Sequence, residues 1–300
     1  MQHSKSYNRD KSPLYENEIP YQMVSSIAQK YLGNYYEDKF LEYGLIIIKP
    51  EALIMGKVDE IFSIFCTRGY ELVYFTRKKI DAMCTAEMWK FSWQNATLEN
   101  ILINQKLLSM YDSIILILRL HNPGSKSVCE MLTDLKGSAV ESKRKPYQIR
   151  YQIKPINYML NYVHSSDNVN DFIRELGILL NFDEIIQTFN AIISNRIISY
   201  PCIEIFHFPK QNYTLDKWMN NICNQLKTVD ICISDQKYIL SQIQLFKKFN
   251  TDFKISFNFL SVLCQYNLIK WNFNNIVFLS NNTPLYNFFI KKYRTGLSDV

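Results

Sequence analysis

The stretch LNYVHSSDNV, residues 160–169, sets His164 among Asn161, Ser165, Ser166 and Asp167, and the chain holds three other histidines, His3, His121 and His207. An imidazole can serve as nucleophile or proton carrier near neutral pH. A lone histidine at a polar strand–helix junction is nonetheless more often incidental, so these residues alone leave both readings standing. The densest basic run, ESKRKPYQIR at 141–150, reads either as a solvated loop or as a site for an anion. The seven cysteines are scattered, with no CxxC and no Cys/His zinc spacing. That pattern suits reduced thiols in a cytosolic protein.

Around these groups the chain alternates strand and helix signals. YGLIIIKP is a short β-branched run stopped by proline, and GKVDEIFSIFCTRGY follows it with apolar residues at Val58, Ile61, Phe62, Ile64 and Phe65 before a glycine, a buried strand and then an amphipathic helix. ELVYFTRKK and DSIILILRL are further strands, with helices expected at CTAEMWKF and SKSVCEML. Residues 133–150 read as a long loop, NYMLNYVHSS as a weak strand, and DNVNDFIRELGILL as a helix with Asp167 as its N-cap. The order β-α-β-α-β-α-loop-β-α predicts an α/β sandwich of ferredoxin-like type, an antiparallel sheet covered by helices.

At 300 residues the chain is expected to hold two domains. Residues 1–40 form a polar extension ending in a helix, 41–182 the α/β domain, and 183–198 a linker helix. Residues 199–300 read as a truncated second copy: CIEIFHFPK matches GLIIIKPEA, LDKWMNNICNQLK the first helix, TVDICISDQKYI the strand YELVYFTRKKI, and NNIVFLSNNTPLYNFF the DSIILILRL segment. The formal charge of +6 suits an anionic small ligand, whereas a nucleic-acid surface needs a concentrated basic stripe. No apolar run approaches the roughly 20 residues of a membrane span, and the polar N-terminus lacks a signal-peptide core. A cytoplasmic protein is expected.

From residue 43 the chain resembles the nucleoside diphosphate kinase family. LIIIKPEALIMGKVDEIFSIFCTRGYELV is similar to that family's opening strand, lysine-proline-acid turn and first helix. KPYQIR resembles its Lys-Pro-Gly-Thr-Ile-Arg segment, and NYVHSSDNVNDFIREL its Asn-x-x-His-Gly-Ser-Asp-Ser segment with a following glutamate. The resemblance, over residues 43–180, implies transfer of a γ-phosphate through a phosphohistidine to a nucleoside diphosphate or a specialised small-molecule acceptor. His164 would be the nucleophile, Glu175 its orienter and Ser166 the support of that carboxylate. Lys49 would contact the transferring phosphate, Arg150 the phosphate chain and Asn161 the ribose. Trp89 is the candidate for an aromatic at the nucleotide. ATP or another nucleoside triphosphate would be the donor, with Mg²⁺ carried on its phosphates and no metal ligand from the protein. A homo-oligomer, or a pseudo-dimer made by the second copy, is the implied assembly.

The family's pattern is broken at several positions. Ser165 replaces a glycine, Asn168 a serine, Cys129 and Met55 arginines, and Leu135 falls near an expected threonine. A base-stacking aromatic should fall near Thr97 or Leu98, and neither can stack. The alternative function is therefore a catalytically weak or inactive nucleotide-binding or scaffold protein.

Overall fold

The computed structural model describes residues 12–203, 215–249, 254–269 and 271–284. In chain order the elements are α1 (Ser12–Tyr15), α2 (Ile19–Leu32), α3 (Tyr36–Phe40), β1 (Tyr43–Ile48), α4 (Pro50–Ile54), α5 (Val58–Thr67) and β2 (Glu71–Lys78). Then come α6 (Ala82–Trp89), α7 (Leu98–Met110), β3 (Ser113–Arg119), α8 (Val128–Lys136), α9 (Ile149–Gln152), β4 (Val163–Ser165), α10 (Val169–Leu179) and α11 (Phe182–Ile193). Helices α12 (Leu215–Gln225), α13 (Ile233–Phe249), α14 (Phe257–Gln265) and α15 (Phe273–Asn282) complete the described α-helices and strands. They fall into two compact units. The first gathers the described residues up to Ile80, with Tyr111–Pro155 and 161–203; the second gathers Asp81–Met110, Ile156–Leu160 and the described residues from 215 onward.

The first unit is the expected α/β sandwich. Its four strands are antiparallel in the order β2-β3-β1-β4. The central strands β1 and β3 are buried along their whole length, which is why YGLIII and the IILIL of β3 are continuously apolar instead of alternating. Gly44 lies under α8: a methyl group there would sit 2.7 Å from Leu132 Cδ1 and 3.3 Å from the Cys129 amide nitrogen. Helix α5 buries Val58, Ile61, Phe62 and Phe65, and Gly69 ends it with φ of 76°, a left-handed residue of the kind helix ends favour.

Several expectations are corrected. Asn168, not Asp167, caps α10, its side chain accepting from the Asp171 amide at 2.8 Å; Asp167 instead accepts from Thr133 Oγ1 at 3.2 Å. The loop expected at 133–150 is partly helical, because the Ser127–Glu130 capping box starts α8 firmly and it runs to Lys136. The weak strand at 157–166 shrinks to Val163–Ser165, since Asn157 folds back to accept from the Met159 and Leu160 amides. The 183–198 linker helix is α11, which buries Ile185, Phe189 and Ile192 and sets Phe189 against Phe40 with ring centroids 5.8 Å apart.

The largest correction concerns the second copy. Its first strand, 202–210, lies mostly outside the described residues. The segment TVDICISDQKYI, matched to a strand, enters helix α13, and NNIVFLSNN is helix α15. Phe273, Ile276, Leu279 and Ser280 are buried at helical spacing, and the Asn272 side chain caps the start by accepting from the Asn275 amide at 2.9 Å. A short apolar run cannot be told from a buried helix by composition. The second unit is helical among its described residues, built around Trp218 stacked on Phe278 at 5.0 Å and set edge-on to Phe259 at 6.3 Å.

Candidate functional site

Strand β1 ends at Ile48, and the next two residues decide how the chain leaves it. Lys49 is extended with ψ of 159° and stands at the N-cap of α4, while Pro50 occupies the first helical turn, where its missing N–H costs nothing. The Lys49 amide donates to the Tyr162 carbonyl at 2.8 Å. The Lys49 side chain is 7 % exposed, with Nζ 3.1 Å from Glu51 Oε1. Glu51 Oε1 also accepts from the Tyr162 amide at 3.0 Å, so one carboxylate holds the lysine and the chain just before the histidine. Burial pushes the Lys49 ammonium below its ordinary 10.5, Glu51 opposes that shift, and Arg150 adds to it.

His164 lies in β4 opposite Ile47 of β1. Its Nε2 is 2.9 Å from Glu175 Oε1, and Ser166 Oγ donates to Glu175 Oε2 at 2.5 Å. The Glu175 side chain is 7 % exposed and that of His164 19 %. A carboxylate facing Nε2 favours the tautomer with its proton there and leaves the lone pair on Nδ1; it would also stabilise positive charge on the ring as Nδ1 forms a bond. Ser166 is held in turn by its amide, which donates to the Leu45 carbonyl at 3.3 Å. Sequence reasoning joined His164, Glu175 and Ser166, and the fold brings all three together.

β4 is an edge strand, and its outward carbonyls must find donors elsewhere. Buried cations supply them. Arg150 donates through Nη2 to the Val163 carbonyl at 2.5 Å, through Nε to the Asn161 carbonyl at 3.1 Å and through Nη1 to the Gly137 carbonyl at 2.7 Å. Arg150 Nη2 also reaches Asn161 Oδ1 at 3.0 Å. From the end of α8, Lys136 Nζ lies 3.3 Å from the Ser165 carbonyl and 3.4 Å from Asp167 Oδ1. Burial pushes the Lys136 ammonium down, Asp167 opposes it, and Arg150 adds to the fall. Arg150, expected on the phosphate chain, thus fastens the strand that carries His164, and Asn161 faces Arg150. Lys136 escaped notice because a lysine in the last turn before Gly137 looks like an ordinary helix C-terminal charge.

Trp89, the last residue of α6, belongs to the second unit and stacks on Trp93 with centroids 5.8 Å apart. The first unit therefore does not itself bring Trp89 into the His164 group. Cys129, where an arginine was expected, is buried and donates to the Tyr43 carbonyl at 3.3 Å; burial drives its thiol well above the ordinary range. Leu135 is buried, and Met55 closes α4. Ser165 Oγ bonds Thr133 Oγ1 at 2.9 Å. Thr97 donates to the Pro284 carbonyl at 2.6 Å and Leu98 is 56 % exposed. Among the described residues no helix is long and apolar enough to cross a membrane.

Residues 42–185 match the family model described as nucleoside diphosphate kinase. Among solved structures, the chain is similar to the Aquifex aeolicus nucleoside diphosphate kinase, at 18 % identity over 48 % of this chain and 97 % of that one, with a TM-score of 0.41. The Encephalitozoon cuniculi enzyme matches at 16 % identity over 47 % and 90 % of the two chains, with a TM-score of 0.41. A halophilic nucleoside diphosphate kinase from Halobacterium salinarum, solved in complex with CDP, matches at 15 % over 54 % and 93 %, again with a TM-score of 0.41. No curated protein matches the sequence.

Proposed function

Since residues 42–185 are a divergent domain of the nucleoside diphosphate kinase family, we propose that the protein is a phosphotransferase working through a phosphohistidine at His164. The observation that supports this reading most is the bridge made by Glu175, with one oxygen on His164 Nε2 and the other on Ser166 Oγ. The Nδ1 lone pair attacks the γ-phosphorus of a nucleoside triphosphate such as ATP, entering as its Mg²⁺ complex. An N–P bond forms, the bond to the bridging oxygen breaks, and the nucleoside diphosphate leaves with that electron pair. The Nε2 proton stays in place against Glu175, which balances the charge gained by the ring. In the second half an oxygen of a nucleoside diphosphate or specialised small-molecule acceptor attacks the same phosphorus, and the N–P electrons return to Nδ1.

Such transfer depends on positioning and charge neutralisation more than on covalent machinery. Lys49 supplies the charge nearest the transferring phosphate in this reading. Arg150 and Lys136 add a positive field while fastening the strand, and Asn161 is the proposed nucleotide contact. We place the reaction in the cytoplasm. The test is incubation with ATP labelled at the γ-phosphate: the wild-type chain should acquire an acid-labile, base-stable label, and His164→Ala should acquire none. Equal labelling of the two would sink the proposal.

A second reading, a nucleotide-binding protein without turnover, is favoured by two observations: the guanidinium of Arg150 is engaged by the carbonyls of Gly137, Asn161 and Val163, and Cys129 offers no charge in place of the expected arginine. ATP binding with no label on His164 would decide for it.

A further inference from the structure

The segment before the family match is docked on α10, the helix that carries Glu175, and it docks in an unusual way. Helix α11 is glued down by apolar side chains. The contact of α1 and α2 with α10 adds polar pairs, buried or part-buried, to its apolar packing. The Tyr15 hydroxyl donates to Asp171 Oδ1 at 2.5 Å, the Tyr21 hydroxyl to Asn170 Oδ1 at 2.9 Å, and Arg174 Nε to Glu18 Oε2 at 2.5 Å. The Arg174 guanidinium also lies over the Tyr15 ring, 5.1 Å from its centroid. The Arg174 side chain is 2 % exposed, and Tyr15 is equally deep. Val24 and Ala28 supply the buried apolar positions of α2.

The spacing says what this contact can do. Asn170, Arg174 and Gly177 follow one another at intervals that share a helix face, and that face meets α2. Asp171 and Glu175 are four residues apart and so are neighbours on the adjoining ridge. Tyr15 therefore reaches past the packing face to the carboxylate one turn before the orienter of His164. Two carboxylates so placed repel each other. The Tyr15 hydroxyl holds Asp171 in one position. The Glu18–Arg174 pair fixes the rotation of the helix beneath it. Buried ion pairs contribute little net stability compared with apolar packing, and a single enforced geometry is the better account of why one is kept here.

We propose that Tyr15 and Glu18, residues outside the kinase-like match, are positioning residues for the phosphohistidine site, fixing α10 so that Glu175 meets His164 and Ser166 together. The inference rests on the phosphohistidine reading. It assigns to the N-terminal segment control over the rate of the chemical step and not over nucleotide binding.

The test is rapid-quench measurement of phosphohistidine formation in the full chain across a range of ATP concentrations. Tyr15→Phe keeps the ring over Arg174 and removes only the hydroxyl, and Glu18→Gln keeps the shape and removes the charge. Each should slow formation at saturating ATP on the order of tenfold, the scale of loss that small misplacements cause, with the half-saturating ATP concentration unchanged. Glu18→Asp, which keeps the charge, should restore most of the rate. An unchanged saturating rate in Tyr15→Phe, with only a lower melting temperature, would show glue and overturn the inference. So would a loss confined to ATP affinity. A wild-type chain that takes no label would remove the phosphohistidine reading and this inference with it, whereas a labelled wild type with unaffected variants would remove this inference alone.

Discussion

Lys49 shows how much one residue's surroundings decide at this site. Its ammonium is nearly closed off from solvent, and burial lowers its pKa from the ordinary 10.5, with Glu51 resisting and Arg150 assisting. The sign of the consequence is fixed. A lysine with a lowered pKa loses its charge at a lower pH than an exposed one, so phosphate attraction at Lys49 should fade on the alkaline side before pH 10.5 is reached. A guanidinium stays charged throughout. The pH profile of phosphohistidine formation should therefore show an alkaline fall in the wild type that Lys49→Arg moves to higher pH, even as the imperfect fit of the larger group lowers the plateau. A fall at the same pH in both chains would assign the titration to another group. Residue types told most at this scale: histidine, glutamate and serine were legible through the family resemblance of their segment, and a strand followed directly by a helix brings positions 164, 166 and 175 together. Cys129 was legible only as a gap, and its place in the core explains why no cation stands there.

At the scale of elements, the site depends on two helices pressed closely against their neighbours, and glycine makes both approaches possible. Gly44 admits α8 to β1, and Gly177 admits the start of α2 to α10. A methyl group at Gly177 would fall well inside contact distance of the Pro20 carbonyl, a backbone atom that cannot swing aside as a side chain would. Gly177→Ala should accordingly destabilise the fold by about 1–3 kcal/mol, the usual range for overpacking, despite alanine's higher helix propensity. Chemical denaturation should give the reduced midpoint. An unchanged or raised midpoint would mean that α2 shifts freely over α10. The strands and α5 could be anticipated because their apolar patterns are long and bounded by Pro50 and Gly69. The α10 cap could not, since Asp167 and Asn168 are equally good candidates by type. The choice went to Asn168 because the Asp167 carboxylate is held by Thr133 and Lys136, a long-range contact that adjacent residues do not reveal.

For the whole molecule, the chain's division is interleaved. The second unit is assembled from Asp81–Met110, Ile156–Leu160 and helices that follow residue 214, so it cannot be detached by cutting the chain once. A tandem copy would have been separable in that way, and the sequence pattern favoured one because apolar runs such as NNIVFLS carry no mark of strand or helix until their partners are known. Those partners lie far away in the chain. Within this unit Glu99, at the start of α7, accepts from the Phe257 amide, Thr97 bonds the Pro284 carbonyl, and Lys106 lies over Trp271 at 5.6 Å. Ile103 and Leu107 of α7 are fully buried, as are Phe259, Leu263 and Ile276 of the later helices. Helix α7 is thus completed by sequence more than a hundred residues later. A chain ended at residue 203 keeps every described strand and all of the His164 group, yet leaves the apolar side of α7 uncovered. It should bind an apolar dye more strongly than the full chain, melt at a lower temperature, and associate as its concentration rises. A shortened chain that stays monomeric, with dye binding and melting unchanged, would mean that α7 is stable without its later partners.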